Sequence, residues 1–130
     1  MSNKKILVVD DTQLIRTMVS RTLNELGYLN VHEAIDGDEA KQKIIESFKQ
    51  NQPFDLIISD WKMPKSTGLD LLQFVRQSEE GKKISFVMLT VESEKSSIVS
   101  AVNEGIDAYL FKPFKKEELK VVLAKVAARK

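Results

Sequence analysis

The chain has 130 residues, the size of one domain, which is enough to bury about two-thirds of the surface that the unfolded chain would expose. Hydrophobic residues make up 42% and charged residues 30% of it, which is typical of a soluble globular protein and excludes a disordered or membrane-inserted chain. The 20 basic and 19 acidic residues leave a net charge of +1, which argues against bulk binding to nucleic acid. Cysteine is absent, which excludes disulfides and thiolate metal sites and fits a cytoplasmic location.

Five short apolar runs are predicted to form a parallel sheet. They are Ile6 to Val9, a weaker run around Val31, Leu56 to Ile58, Phe86 to Leu89, and Tyr109 to Phe111. Most of these runs are continuous rather than alternating, which is typical of strands that are covered on both faces.

The segments between the runs carry apolar residues at helical spacing. The stripes are Leu14, Ile15, Met18, Val19, Leu23 and Leu26; Ala40, Ile44, Ile45 and Phe48; Leu71, Leu72 and Val75; Ile98, Ala101 and Val102; and Leu119, Val122, Leu123 and Val126. Gly27 and Gly105 follow two of them as helix stops, and Asp36 with Glu39 resembles a capping box. Residues 79–83 are predicted to be a loop. Strands alternating with helices predict one α/β domain of the (βα)₅ kind over residues 1–130, with right-handed crossovers.

Polar residues stand at the ends of four predicted strands. The first strand is followed by Asp10 and Asp11, the third by Asp60, the fourth by Thr90 and the fifth by Lys112. Ligands of an open α/β sheet bind at the carboxyl ends of its strands, so these side chains are expected to converge on one crevice. Taken singly, Asp11 could cap a helix, Asp60 could begin a turn and Lys112 could be a surface lysine. Their coincidence favours a functional site.

The chemistry of this set suits phosphoryl transfer. Three carboxylates at close range repel one another and favour a bound cation, and hard oxygen ligands suit Mg²⁺. The ammonium of Lys112 offers a point charge, and the hydroxyl of Thr90 offers a donor, to a phosphoryl group. A carboxylate such as Asp60 can itself be the nucleophile and form an acyl phosphate.

The segments VVDD, LIISDWKMPKSTG, VMLT and YLFKPF, with EAIDGDEA at the second helix, resemble the motifs of the response-regulator receiver domain. The resemblance covers nearly the whole chain and is strongest to the single-domain chemotaxis type. It implies a flavodoxin-like fold, a five-stranded parallel sheet in the order 2-1-3-4-5 with helices on both faces. It also implies a phosphorylation-activated switch rather than an enzyme, with only self-phosphorylation from small donors and self-dephosphorylation as its chemistry.

Position by position, the resemblance implies roles for the residues at the strand ends. Asp60 would be the phosphoacceptor, with Thr90 and Lys112 as its catalytic partners. Mg²⁺, the implied cofactor, would be held by Asp10, Asp11, Asp60 and the backbone carbonyl of Lys62.

Further expectations concern the switch that would read the phosphoryl group. Thr90 would shift toward that group, and Tyr109 matches the aromatic residue whose rotamer follows the threonine. A cis bond is implied between Lys112 and Pro113, and Trp61 corresponds to a ring beside the site.

The chain departs from the family pattern at residue 67 and at residue 91, and Val91, with the variable positions 62 and 92, bears on the phosphoryl lifetime. Thr67 replaces the usual Asp or Asn before a glycine, where it can still cap the next helix. Val91 stands where small residues are common, and its branched side chain is expected to narrow access to the phosphoacceptor. Lys62 and Glu92 occupy the two variable positions that tune dephosphorylation, and we expect them to pair over the phosphoryl group. Together these residues predict an intermediate to long lifetime.

The resemblance also implies partners. A histidine kinase would be the phosphodonor, a flagellar motor switch protein or another docking target would read the state, and a phosphatase would end it. The chain ends just after the fifth helix, so no output domain is expected, and the start at Met1 favours a stand-alone protein. The alternatives are a stand-alone receiver of another phosphorelay and a receiver excised from a longer regulator.

Two functions of other classes fit the residues less well. A Mg²⁺-dependent phosphatase with an aspartyl nucleophile would need a second acid two residues after the nucleophile, where Thr12 and Lys62 stand. A nucleotide or flavin binder would need glycine in the first strand–helix turn, DDTQLIR, which has none.

Overall fold

A computed structural model describes residues 3–63 and 66–128, except for the side chain of Glu92. The strands are β1 (Ile6–Val9), β2 (Val31–Ala34), β3 (Leu56–Asp60), β4 (Ser85–Val91) and β5 (Ala108–Lys112). The helices are α1 (Gln13–Glu25), α2 (Gly37–Lys49), α3 (Gly68–Arg76), α4 (Glu79–Lys82), α5 (Ser97–Asn103) and α6 (Lys116–Ala128), with a 3₁₀ turn at Glu92–Glu94. Within the described ranges, no helix is long and apolar enough to cross a membrane.

All four strand pairings are parallel, and the sheet order is β2-β1-β3-β4-β5, which confirms the predicted fold. Successive side chains of a strand point to opposite faces, so the continuous apolar runs supply two cores. Leu7 and Val9 belong to the core beneath α2, α3 and α5, whereas Ile6 and Val8 belong to the core beneath α1 and α6. The sheet is therefore buried on both sides, and its carboxyl edge is where polar groups can reach solvent.

Side chains at the starts of α2 and α3 accept hydrogen bonds from backbone N–H groups, with one change of partner from the predicted capping box at α2. The Asp36 carboxylate accepts a hydrogen bond from the backbone of Glu39 at 2.8 Å, but the Glu39 carboxylate accepts from Ile35 rather than from Asp36. Thr67 and Asp70 form a complete capping box at the start of α3. The departure at residue 67 is thus compatible with a capped helix.

Two predictions about elements were wrong. Residues 79–83 are not simply a loop, because Glu79–Lys82 form the short helix α4, whose start is capped by the Ser78 hydroxyl accepting from the backbone of Gly81 at 2.9 Å. Two members of the α1 stripe are not core, because Leu14 is 67% and Met18 40% exposed, whereas Ile15 packs against the core beneath α1 and α6. The first turns of α1 begin at the carboxyl edge of the sheet, so these apolar side chains lie near the polar edge instead of beneath a strand.

Candidate phosphoacceptor site

The residues predicted at the strand ends do converge. Asp10 directly follows β1, Asp60 ends β3, and Lys112 ends β5. The ammonium nitrogen of Lys112 lies 3.2 Å from Asp60 Oδ1 and 3.5 Å from Asp10 Oδ2. The order of the sheet explains this contact, because β1 and β3 are neighbours and Lys112 reaches across from the edge strand.

Three carboxylates form the floor and rim of this crevice. One oxygen each from Asp10, Asp11 and Asp60 lies within 4.8 Å of the others. Asp10 is fully buried, Asp60 is 7% exposed and Asp11 is exposed. Among the described residues no group donates a hydrogen bond to Asp10 Oδ2, although it is buried. A buried carboxylate oxygen that accepts no hydrogen bond, with the ammonium of Lys112 no closer than 3.5 Å, lies within a cluster of acids and fits a small hard cation.

The electrostatic environment of Asp60 is set by burial and by its acidic neighbours. Desolvation raises the pKa of Asp60 to about 6, and the charge of Asp10 adds to the increase while Lys112 opposes it. Burial destabilises the charged form of a carboxyl group, as does a like charge nearby. The carboxylate is still mainly ionised at pH 7, and any added positive charge would stabilise it.

The backbone around Asp60 is fixed by contacts on both sides. The Trp61 N–H donates to the carbonyl of Leu89 at 3.1 Å, and the carbonyl of Trp61 accepts from the N–H of Gly68 at 2.8 Å. A Cβ at residue 68 would lie 2.4 Å from the carbonyl oxygen of Asp60, so only glycine fits there. The Trp61 ring is partly buried and packs on the core beneath α2 and α3, beside the site as expected.

Two further polar groups support Asp10. The backbone N–H of Thr12 donates to Asp10 Oδ1 at 2.8 Å, and the guanidinium of Arg16 donates to the carbonyl of Asp10 at 2.7 Å. Arg16 also forms an ion pair with Glu33 of β2 at 3.1 Å. Arg16 was not predicted from the sequence, because an arginine beside the apolar stripe of a helix is ordinary and gives no sign of the carbonyl that it binds.

The groups expected to act as a switch lie on one face of neighbouring strands. Thr90 is 2% exposed, and within the described part of the chain its hydroxyl donates one long hydrogen bond, 3.4 Å, to the carbonyl of Val91. Tyr109 pairs in register with Met88, so it lies on the same sheet face as Thr90, and its side chain is 44% exposed. The Lys112–Pro113 peptide bond is cis, as the resemblance implied.

Lys62 forms an ion pair that the sequence did not predict, while its expected pairing with Glu92 stays a prediction. The ammonium of Lys62 lies 2.6 Å from a carboxylate oxygen of Glu94, whereas the side chain of Glu92 is outside the described part of the chain. Glu94 lies on the 3₁₀ turn after β4 and was not singled out from the sequence, because the resemblance marks residue 92 and not residue 94 as a variable position. Val91 is 39% exposed and lines a depression with Ile15 and Lys112.

Comparisons with known proteins agree with this geometry. Residues 6–124 match the response regulator receiver domain family. The chain is 40% identical to the chemotaxis protein CheY1 of Helicobacter pylori over 123 residues, which cover 92% of this chain and 96% of that protein. It is 38% identical to the chemotaxis response regulator CheY4 of Vibrio cholerae, whose structure aligns with a TM-score of 0.83. That alignment covers 96% of this chain and 99% of the CheY4 chain.

A more distant structure carries a metal ion. The receiver domain of the sensor histidine kinase PA1611 of Pseudomonas aeruginosa has magnesium coordinated in its active-site cleft, with 26% identity and a TM-score of 0.81 to this chain. The alignment covers 97% of this chain and 99% of that domain. With the fold, the acidic crevice and the matched residues together, this chain belongs to the family of response regulator receiver domains.

Proposed function

We propose that the chain is a phosphorylation-activated response regulator of the chemotaxis type, with Asp60 as its phosphoacceptor. The observation that carries the proposal is the contact of Lys112 with Asp60 in a crevice that also holds Asp10 and Asp11. The similarity to CheY1 of Helicobacter pylori and CheY4 of Vibrio cholerae supports the chemotaxis assignment.

The chemistry assigned to Asp60 is nucleophilic attack on phosphorus. An O–P bond forms as the P–N bond of a donor phosphohistidine breaks, and the imidazole leaves with the bonding electrons and takes up a proton. The ammonium of Lys112, already beside Asp60, balances charge on the phosphoryl oxygens. The Thr90 hydroxyl, with only its long bond to a backbone carbonyl, is available to donate to one of those oxygens.

A Mg²⁺ ion is the cofactor that we assign to the acidic crevice. Asp10, Asp11 and Asp60 would hold it, with the backbone carbonyl of Lys62 as a further ligand. The buried, unbonded Asp10 Oδ2 and the magnesium seen in the PA1611 receiver domain support this assignment. When bound, the ion supplies positive charge that offsets the negative charge of the acids and of the donor.

The switch that we assign consists of Thr90 and Tyr109. A phosphoryl group on Asp60 would draw Thr90 toward it, and the exposed Tyr109 ring would then turn inward along the same sheet face. The surface formed by α5, β5 and α6 would change, and a docking partner would read that change. A histidine kinase, a flagellar motor switch protein and a phosphatase are the partners that the chemotaxis type implies.

Phosphorylation by a small donor tests this function. The protein and its Asp60→Asn variant are incubated with Mg²⁺ and acetyl phosphate, and intact mass is measured before and after acid treatment. The wild type is expected to gain one phosphoryl group per chain, only with Mg²⁺, while the variant gains none. Equal labelling of both variants, or of neither, would refute the assignment of Asp60.

A further inference from the structure

The ion pair between Lys62 and Glu94 joins two segments that flank the crevice. Lys62 stands two residues after Asp60, and Glu94 stands four residues after Thr90, so the pair links the loop after β3 to the turn after β4. The two charged atoms lie 2.6 Å apart, which is the distance of a charge-assisted hydrogen bond.

The two partners differ in how firmly they are held. The Lys62 side chain is 72% exposed, whereas that of Glu94 is only 24% exposed. A long, exposed lysine can reorient at little cost, while a half-buried carboxylate on a short turn has fewer positions available. Glu94 is therefore the anchor of the pair and Lys62 is the mobile cation.

With its ammonium bound to Glu94, Lys62 does not act on the phosphoacceptor. The ammonium that contacts Asp60 is that of Lys112, at 3.2 Å, whereas the ammonium of Lys62 contacts Glu94. Yet Lys62 is only two residues from Asp60, and its four-carbon side chain is long enough to reach the mouth of the crevice once released. Among the described side chains, Glu94 is the carboxylate that holds the ammonium of Lys62 outside the site.

We propose that Glu94 is a positioning residue that holds the Lys62 ammonium away from the acidic crevice. By doing so, Glu94 slows phosphorylation of Asp60 by anionic donors and keeps a competing ammonium out of the cation site. This proposal rests on the function proposed above. Release of Lys62 would place a positive charge where an incoming phosphoryl group carries negative charge, and the same charge would repel Mg²⁺. Release of Lys62 would therefore raise the rate of phosphorylation and lower the affinity for Mg²⁺, and the test measures both.

The experiment compares Glu94→Gln, Lys62→Met and the double variant with the wild type. Fluorescence of Trp61, the single tryptophan and a neighbour of Asp60, reports Mg²⁺ binding without phosphodonor, and then phosphorylation by acetyl phosphate at saturating Mg²⁺. Glu94→Gln is expected to raise the rate constant for acetyl phosphate by about fivefold and to weaken Mg²⁺ binding by a similar factor, as one unit charge at short range would do. Both effects should shrink as salt is added.

The double variant decides whether Glu94 acts through Lys62. In the Lys62→Met background, Glu94→Gln is expected to change neither quantity, since no ammonium remains to be released. A Glu94→Gln effect of the same size in both backgrounds would mean that Glu94 acts by its own charge, and would overturn the proposal. Glu104→Gln, which removes an exposed carboxylate at the far end of α5, controls for net charge and should behave as the wild type.

Other outcomes are also decisive. A general loosening of the site by Glu94→Gln would lower the phosphorylation rate and Mg²⁺ affinity together, which contradicts the opposite signs expected here. If the wild type is phosphorylated and Glu94→Gln changes neither the phosphorylation rate nor the Mg²⁺ affinity, the role of Glu94 is overturned and the function of Asp60 stands. If the wild type is not phosphorylated at all, the function of Asp60 fails, and this proposal fails with it.

Discussion

Val91 is expected to affect the rate of phosphorylation without touching the reacting atoms. It directly follows Thr90, is 39% exposed and lines a depression next to Lys112. Replacement by alanine removes two methyl groups from the approach to Asp60. We expect Val91→Ala to raise both the rate of phosphorylation by acetyl phosphate and the rate of hydrolysis of the phosphoryl group by about twofold to fivefold. That change corresponds to less than about 1 kcal/mol of activation free energy. Val121→Ala, on the exposed face of α6, is the control, and equal rates in all three proteins would exclude a gate at residue 91.

His32, the only histidine, offers a titration that is free of overlap. Burial lowers the pKa of its imidazole, and the charges of Lys5 and Lys43 lower it further. The folded protein therefore binds this proton less readily than the unfolded chain, so His32 contributes stability above the unfolded pKa of about 6.5 that is lost as pH falls through the folded value. The pKa measured from the NMR shift of the imidazole should be lower in the folded protein than in concentrated urea. His32→Gln should make the free energy of unfolding fall less between pH 7 and 5. A folded pKa at or above the urea value would contradict this.

At the scale of elements, the start of α3 determines the position of the phosphoacceptor. A methyl group at Gly68 would meet the backbone carbonyl oxygen of Asp60 at 2.4 Å, and backbone cannot yield as a flexible side chain can. We expect Gly68→Ala to cost about 2 to 3 kcal/mol of stability and to weaken Mg²⁺ binding, because the strand end must shift.

Thr67→Ala is the matched control for that variant. It removes the side-chain cap of the same helix, at a cost of about 1 kcal/mol, without placing an atom against Asp60. Urea unfolding and Trp61 fluorescence should show both variants destabilised, but Mg²⁺ affinity reduced only in Gly68→Ala. Reduced affinity in both would mean that any weakening of α3 disturbs the site.

The elements also show what the sequence can and cannot predict. The strand order was implied by the resemblance, and the meeting of Asp10, Asp60 and Lys112 follows from a parallel sheet, whose strands bring their carboxyl ends to one edge. The pairing of Lys62 with Glu94 could not be predicted in this way, because the sequence does not show which acid of a turn is oriented toward a lysine on another loop. Exposure of Leu14 was likewise unpredictable, since helical periodicity identifies a face but not where the sheet beneath it ends.

At the scale of the whole molecule, the acidic crevice couples function to folding. Asp10 and Asp60 come from neighbouring strands and are brought together only in the folded chain, where the pKa of Asp60 is raised to about 6 by burial and by Asp10. The folded state thus carries an electrostatic cost at neutral pH that the unfolded chain does not have. A bound cation, or removal of one charge, would relieve that cost.

Two consequences follow for stability at neutral pH. Mg²⁺ should stabilise the wild type by about 1.4 kcal/mol for each tenfold rise in concentration above its dissociation constant, because it binds the folded state. Asp60→Asn should be more stable than the wild type without metal, and Mg²⁺ should stabilise it much less, since one ligand and one charge are gone. Urea unfolding with EDTA and with graded Mg²⁺ measures both, and Asp55→Asn, an acid at the opposite edge of the sheet, controls for the loss of a charge. Equal stabilisation of the wild type and Asp60→Asn by Mg²⁺ would place the cation elsewhere, and would separate the acidic crevice from the metal that the fold implies.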